Sequence, residues 1–345
     1  MTEVLAPEEA WPKMREARWS ETEDAKEWDE FVSENRGSIF HTWAWRRVLE
    51  SDGSRPFYLA YRNGRGSILA ICPFFYRTRG RLRYLYSLPN SYMAGPVISN
   101  RAPAASQIIT SLRKSVNQSL FNPVVYMRVK VHHEPIVRSM ITLGFNYELK
   151  DEFLILDLHE KKPEDIWEHG FRKHDRQAIK YYESQGSRFG LATRETEFRD
   201  FLSLLPRNYI GRIHSADFFS RMRLNMGERL CVATVTSEGK AITGISMLCD
   251  PPNSTIHLTT IRYAPTKNIH SPVTYLNWKV VNWAAEHGFR YVNFGDYTIA
   301  KCADPTHPFH RLKERFEAAS IPRYLFTLPV ASVLYSVAKT MNQAP

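Results

Sequence analysis

The stretch "IHSPVTYLNWKVVNWAAEHGFRYVNFGDYT", residues 269–298, decides the fold. Ser271-Pro272 reads as a helix start, with serine as the cap and proline in the first turn, where its missing N–H is harmless. Val273, Leu276, Val280 and Trp283 then recur at helical spacing and form one apolar stripe. Gly288 ends the helix, because glycine readily takes the left-handed conformation that closes one. "RYVNF", residues 290–294, is a strand that runs into the polar segment Gly295-Asp296-Tyr297. Just upstream, "RLCVATVTSEGKAITGISMLCD", residues 229–250, reads as a hairpin turning at 237–240, and "STIHLTTIRYA", residues 254–264, as the next strand. The helix and its following strand therefore complete a unit that begins with antiparallel strands.

The front of the chain repeats this order. Helices are expected over 25–33 and 42–50, with Thr42 as a cap. "PFYLAYRNGRGSILAICPFFY", residues 56–76, gives two β-rich runs joined at Arg62-Asn63-Gly64, a hairpin signal. A strand over 82–88, a helix within 102–120, a strand over 123–131, a short helix from Pro135 to Gly144 and a strand over 152–158 follow. The second half opens with helices over 163–184, broken near Gly170, and over 197–205. Each half thus reads helices, hairpin, strand, helix, strand. This predicts an α+β fold: a repeated unit with a mixed, mostly antiparallel sheet flanked by helices. The chain of 345 residues also exceeds the roughly 250–300 residues of a single core. The expected division is a loose leader over 1–20, a first domain over 21–158 and a second over 159–345 with a C-terminal tail.

Composition narrows the function. A net charge of +10 favours an anionic partner such as a nucleic acid, a nucleotide-linked substrate, coenzyme phosphates or a lipid surface. Cys72, Cys231, Cys249 and Cys302 lack the Cys-x-x-Cys spacing of a zinc site. His132-His133, and His307 with His310, have no carboxylate or cysteine at a familiar ligand spacing, so no metal is expected. No apolar run reaches the roughly 20 residues of a membrane span, and the acidic start "MTEVLAPEEAWPK" is no secretory signal. The expected location is the cytoplasm. Val330, Val333, Leu334, Val337 and Met341 share one face of a possible tail helix. That face suits core packing, or peripheral contact with the inner membrane face.

In their order, several motifs resemble the Fem-type (FemAB-like) aminoacyltransferases. These are "SIFHTWAWRRVLE", "LPNSYMAGPVIS", "FRKHDRQAIKYYESQG", the opening stretch above, and "HRLKERFEA". The resemblance spans roughly residues 28–326. It implies two tandem domains of the acetyltransferase (GNAT) type. It also implies an acyltransferase that forms an amide by moving an aminoacyl group from aminoacyl-tRNA to an amine, nucleotide- or lipid-linked, on a cell-envelope precursor. The Lys-Phe-Lys of the family reads Arg311-Leu312-Lys313 here, which keeps the basic residues and loses the aromatic ring.

Acyl transfer to an amine needs a held carbonyl, a neutral amine and a charge to stabilise the tetrahedral oxyanion, with no metal or redox cofactor. By resemblance, Lys313 supplies that charge; the competing reading pairs it with Glu314 or Glu317. Asp296, with Tyr297 beside it, lies where a strand opens into a loop, placed to accept the amine proton or to orient substrate; Gly295-Asp296 also reads as a plain turn. Arg172, Arg176 and Lys180 fall four apart on a helix, with Lys173 adjacent, and would meet phosphate or form a solvated face. Tyr92, Tyr275, Gly295 and Arg311 are substrate-binding candidates by resemblance. Arg77, Arg79, Arg81 and Arg83 alternate along a strand or flank a hairpin turn at Gly80. The acetyl-CoA loop of ordinary GNAT enzymes should precede the helix at Ser271, but "YAPTKNIHSPVTY" holds no glycine. Two readings therefore stand beside the first: an acyl-CoA-dependent N-acyltransferase and a non-catalytic RNA-binding module.

Overall fold

The computed structural model describes residues 17–50, 55–79, 82–89, 91, 93–116, 124–204, 215–264, 270–298, 304, 308–331 and 335–336. The chain forms two compact units: Met1–Leu149 with Tyr324–Pro345, and Lys150–Arg323.

In the first unit, β1 (Arg18–Glu21), β2 (Arg55–Arg62), β3 (Ile68–Arg79) and β4 (Leu82–Ser87) are joined antiparallel in that order. The β2–β3 turn forms where Asn63 permits it: its side-chain oxygen accepts the N–H groups of Arg65 and Ser67 at 2.9 and 3.0 Å. A short β5 (Val97–Ile98) pairs with β3. β4 then pairs in parallel with β6 (Val124–Val131), reached through α3 (Ala105–Val116). The helices α1 (Ala25–Glu34), α2 (Trp43–Glu50) and α4 (Glu134–Thr142) complete the unit. Thr42 caps α2 as expected, its hydroxyl 3.4 Å from the N–H of Trp45. The core gathers Phe74, Leu85, Ile108, Leu112, Met127 and Met140.

In the second unit, β8 (Arg188–Leu191), β9 (Leu230–Ser237), β10 (Lys240–Asp250) and β11 (Thr255–Tyr263) are antiparallel neighbours. β11 pairs in parallel with β12 (Tyr291–Thr298), and α9 (Pro272–Glu286) makes the crossover. The expected break near Gly170 is present. A short α5 (Pro163–Asp165) runs into a π turn at Ile166–Gly170, and α6 (Lys173–Ser184) starts afresh. α7 (Glu195–Ser203), α8 (Ala216–Met226) and α10 (Pro308–Phe316) follow. The core is built on Leu154, Ile179, Ile245, Leu276, Val292 and Phe316.

The two units repeat one plan: antiparallel strands, then a parallel pair joined by a helix, then a further helix (α4 or α10) and a departing strand. The departing strand is where the boundaries differ from expectation. β7 (Asn146–Asp157) starts in the first unit, and its residues 151–157 pair antiparallel with β12 in the second. β13 (Ala319–Pro329) starts in the second unit, and its residues 324–329 pair antiparallel with β6 in the first. The compact units therefore divide after Leu149 and Arg323 rather than after residue 158, and the tail belongs with the first unit. The leader is also shorter than expected, since residues 18–20 lie in β1. Most of the amphipathic tail falls outside the described residues; of it, Val330 and Tyr335 are buried. Arg77 and Arg83 lie on the β3–β4 hairpin, with guanidiniums over the rings of Tyr86 and Tyr76.

Phe326 is fully buried in the first unit's core although it arrives at the end of the chain. Phe326→Ala is expected to destabilise that unit by about 3–5 kcal/mol, read as an earlier urea transition and faster proteolysis within residues 55–149.

Candidate active site

The second unit opens where its parallel pair parts. β11 and β12 are paired over three positions, Thr255↔Tyr291 to His257↔Asn293, and both strands run on beyond them. At the last pair the Asn293 amide nitrogen lies 3.2 Å from His257 Nδ1, and both side chains are fully buried. Asn293 Oδ1 accepts the N–H of Gly295 at 2.9 Å. Gly295 has φ of +96°, a conformation glycine takes without strain. The register against β7 shifts between Asn293 and Asp296, and such a bulge re-aims the side chain that follows it.

Asp296 therefore meets Arg323. That arginine, with no exposed surface, donates to both carboxylate oxygens of Asp151 at 2.5 and 2.6 Å and also bonds Asp296. Burial works against its charge, but the bond to Asp151 and the charge of Asp296 outweigh it and hold the guanidinium above its ordinary value. The Asp296 carboxylate is thus engaged in an ion pair.

A cleft of about 520 Å³ lies between the start of α6 and α10. Arg315 reaches the buried Asp175 at 2.5 Å, and Arg172 reaches Glu314 at 3.0 Å. His174 Nε2 stands 3.2 Å from Asp175, and His310 Nε2 3.5 Å from Glu314. Gly170 makes the close approach possible: a Cβ there would come within 2.3 Å of the Arg315 carbonyl oxygen. Arg311 lines the same cleft. Leu312 and Phe316 anchor α10 in the core.

Lys313 follows Leu312 and is half-buried. Its sequence neighbours are taken: Glu314 pairs with Arg172, and Glu317 with Lys161. Among the described residues Lys313 has no ion pair, so the ordinary pairing that competed for it is not formed.

The other candidates divide. Arg172 and Arg311 line the cleft beside α10, whereas Lys313, on the same helix, is not among its lining residues. Lys173 is exposed at the first position of α6. Arg176 turns back instead, donating to the carbonyls of Trp167 and Glu168 at 3.0 and 3.3 Å. The expected shared face of Arg172, Arg176 and Lys180 fails because Arg172 is the extended cap residue, not part of the helix. Tyr275 is a core residue whose hydroxyl donates to the Ser187 carbonyl at 3.2 Å; packing, not an open surface, accounts for it. Tyr92 and the side chain of Tyr297 lie outside the described residues. Asp175, Arg315, Gly170, Asp151 and Arg323 were missed. The one signal was local: Asp175 sits three residues after Arg172 and accepts its N–H at 3.3 Å, as a capping carboxylate does.

Residues 169–299 match the acetyltransferase (GNAT) domain family. That match falls within the second unit. No curated protein matches the sequence. Among solved structures the fold is similar to that of FemX, at TM-score 0.69 and 11% identity over 93% of this chain and 99% of that one. It is also similar to L-PGS from Bacillus licheniformis, at TM-score 0.58 and 14% identity over 94% and 97% of the two chains. A tandem GNAT protein from the clavulanic acid biosynthesis pathway aligns at TM-score 0.56 and 11% identity over 92% and 99%. The expected tandem GNAT fold is the fold observed.

Two substitutions test this geometry. Gly170→Ala is expected to push α10 from the π turn and cost about 1–3 kcal/mol by denaturant titration. Asp151→Asn leaves the Arg323 charge short of a partner and is expected to cost about 3–5 kcal/mol in the same measurement.

Proposed function

We propose that this chain is an aminoacyltransferase, moving an aminoacyl group from aminoacyl-tRNA to an amine on a nucleotide- or lipid-linked cell-envelope precursor. The observation that carries the proposal is the half-buried Lys313, which has no ion pair among the described residues while Glu314 and Glu317 are engaged elsewhere. An ammonium held in this way can stabilise the oxyanion formed when an amine attacks the aminoacyl ester. Arg311 and Arg172 in the cleft, with the overall charge of +10, suit the phosphates of either tRNA or a diphosphate-linked acceptor. The leaving group is the ribose hydroxyl of the tRNA, and the amine proton departs with it or to solvent. Asp296, fixed by Arg323, orients the substrate. The glycine-free segment before α9 supports a donor other than CoA.

A second reading is favoured by one feature. Beyond His257 and Asn293 the facing edges of β11 and β12 part, and such edges present N–H and C=O groups to an extended, amide-bearing chain such as the pantetheine arm of an acyl-CoA.

The test pairs the protein with tRNA charged with each labelled amino acid and with candidate amine precursors, and separately with acetyl-CoA. Label is expected in a base-stable amide product. Lys313→Ala is expected to lower kcat/KM by about 10²–10³ with an unchanged unfolding midpoint. Full activity in that variant would remove Lys313 from the chemistry. Turnover with acetyl-CoA alone would move the donor to the second reading. RNA binding without turnover on any donor would favour a non-catalytic module.

A further inference from the structure

Two thiols that lie 18 residues apart in sequence meet in the second unit: the Sγ atoms of Cys231 on β9 and Cys249 on β10 are 3.5 Å apart. The register explains the contact. Cys231 faces Met247 across the antiparallel pair, and Cys249, two residues beyond Met247, projects from the same face of β10. The cysteines are therefore diagonal cross-strand neighbours. Their separation is van der Waals contact, well beyond the roughly 2.05 Å of a disulfide. The Cys249 thiol donates to Cys231 sulfur, and the Cys231 thiol lies 3.8 Å from the Glu228 carbonyl oxygen. Access differs: Cys249 is buried, and Cys231 is half-buried. Cys72 is fully buried in the first unit, and burial pushes its thiol up.

We propose that Cys231 and Cys249 form a thiol–disulfide redox site that a peroxide closes into a cross-strand disulfide. The Cys231 thiolate attacks one peroxide oxygen, the O–O bond breaks, and water leaves with the thiol proton, giving a sulfenic acid. The Cys249 sulfur then attacks the Cys231 sulfur; the S–O bond breaks, and the hydroxyl leaves as a second water with the Cys249 proton. Both sulfurs are oxidised and the peroxide is fully reduced. Roles follow from surroundings: the hydrogen bond from Cys249 lowers the pKa of Cys231, while the same contact and burial raise that of Cys249. Cys231 is the reactive thiol and Cys249 the resolving one. The site adjoins the strand fork, since the next residue, Asp250, has its carboxylate 3.7 Å from His257. The proposal is independent of the acyl donor.

The experiment uses the full chain in a Cys302→Ser background, treated with a slight excess of hydrogen peroxide, quenched, denatured and alkylated. Cys231 and Cys249 are expected to lose alkylation together, to appear as one cross-linked peptide pair within a single chain, and to regain alkylation after dithiothreitol, while Cys72 stays alkylated throughout. In Cys249→Ser, Cys231 is expected to stop at a dimedone-trappable sulfenic acid. Sulfinic or sulfonic acid on Cys231 with Cys249 still alkylated would overturn the proposal, as would a disulfide between two chains or no oxidation at all. The dithiothreitol reversal is read in unaltered Cys231 and Cys249, so it stands even if a serine variant misfolds.

Discussion

The guanidinium of Arg323 is the charge around which the second unit must assemble. It is fully buried, it takes both oxygens of Asp151 on β7, and it holds Asp296 on β12. An arginine without its carboxylates in that place would carry an uncompensated interior charge, costly enough to reject any register that separates the three strands. β7, β12 and β13 are thus fixed relative to one another by one side chain. The same anchoring sets the bulge at Gly295 and the direction in which Asp296 leaves its strand.

A second constraint acts on α10. Its inner face is apolar, with Leu312 and Phe316 in the core, and its outer face is a dense set of charges. Arg172 and Arg315 each find a carboxylate, and Lys161 takes Glu317. Among the described residues Lys313, on the same helix, has no ion pair. Packing at Gly170 keeps the helix close enough for this pairing, because no side chain intervenes between the π turn and the Arg315 carbonyl. The chemistry proposed for Lys313 thus depends on contacts it does not make itself.

Much of the fold was legible because its signals are local. The stripe Val273, Leu276, Val280 and Trp283 announced α9, Ser271-Pro272 and Gly288 bounded it, and Asn63-Gly64 announced the β2–β3 turn. What escaped depends on distant parts of the chain. The pairing of β13 with β6 joins segments nearly two hundred positions apart, and nothing in "RYLFTLP" says which edge it will seek. Arg323 reads as one more surface arginine until Asp151 and Asp296 are seen beside it. The same holds for Cys231 and Cys249, whose spacing matches no motif and whose meeting follows from hairpin register. Local rules also misled where a residue changed role: Arg172 was counted on a helical face but caps the helix, and Tyr275 was counted as a substrate contact but is buried in the core.

The exchange of β7 and β13 has a consequence for biosynthesis. Phe326, Leu328 and Val330 belong to the first unit's core, yet they leave the ribosome only after the whole second unit has been made. During translation the first unit waits with β6 exposed along the edge that β13 will fill, a surface open to mispairing with neighbouring nascent chains. Until β13 emerges, the nascent chain has an interval in which a holdase chaperone has an apolar strand edge to shield.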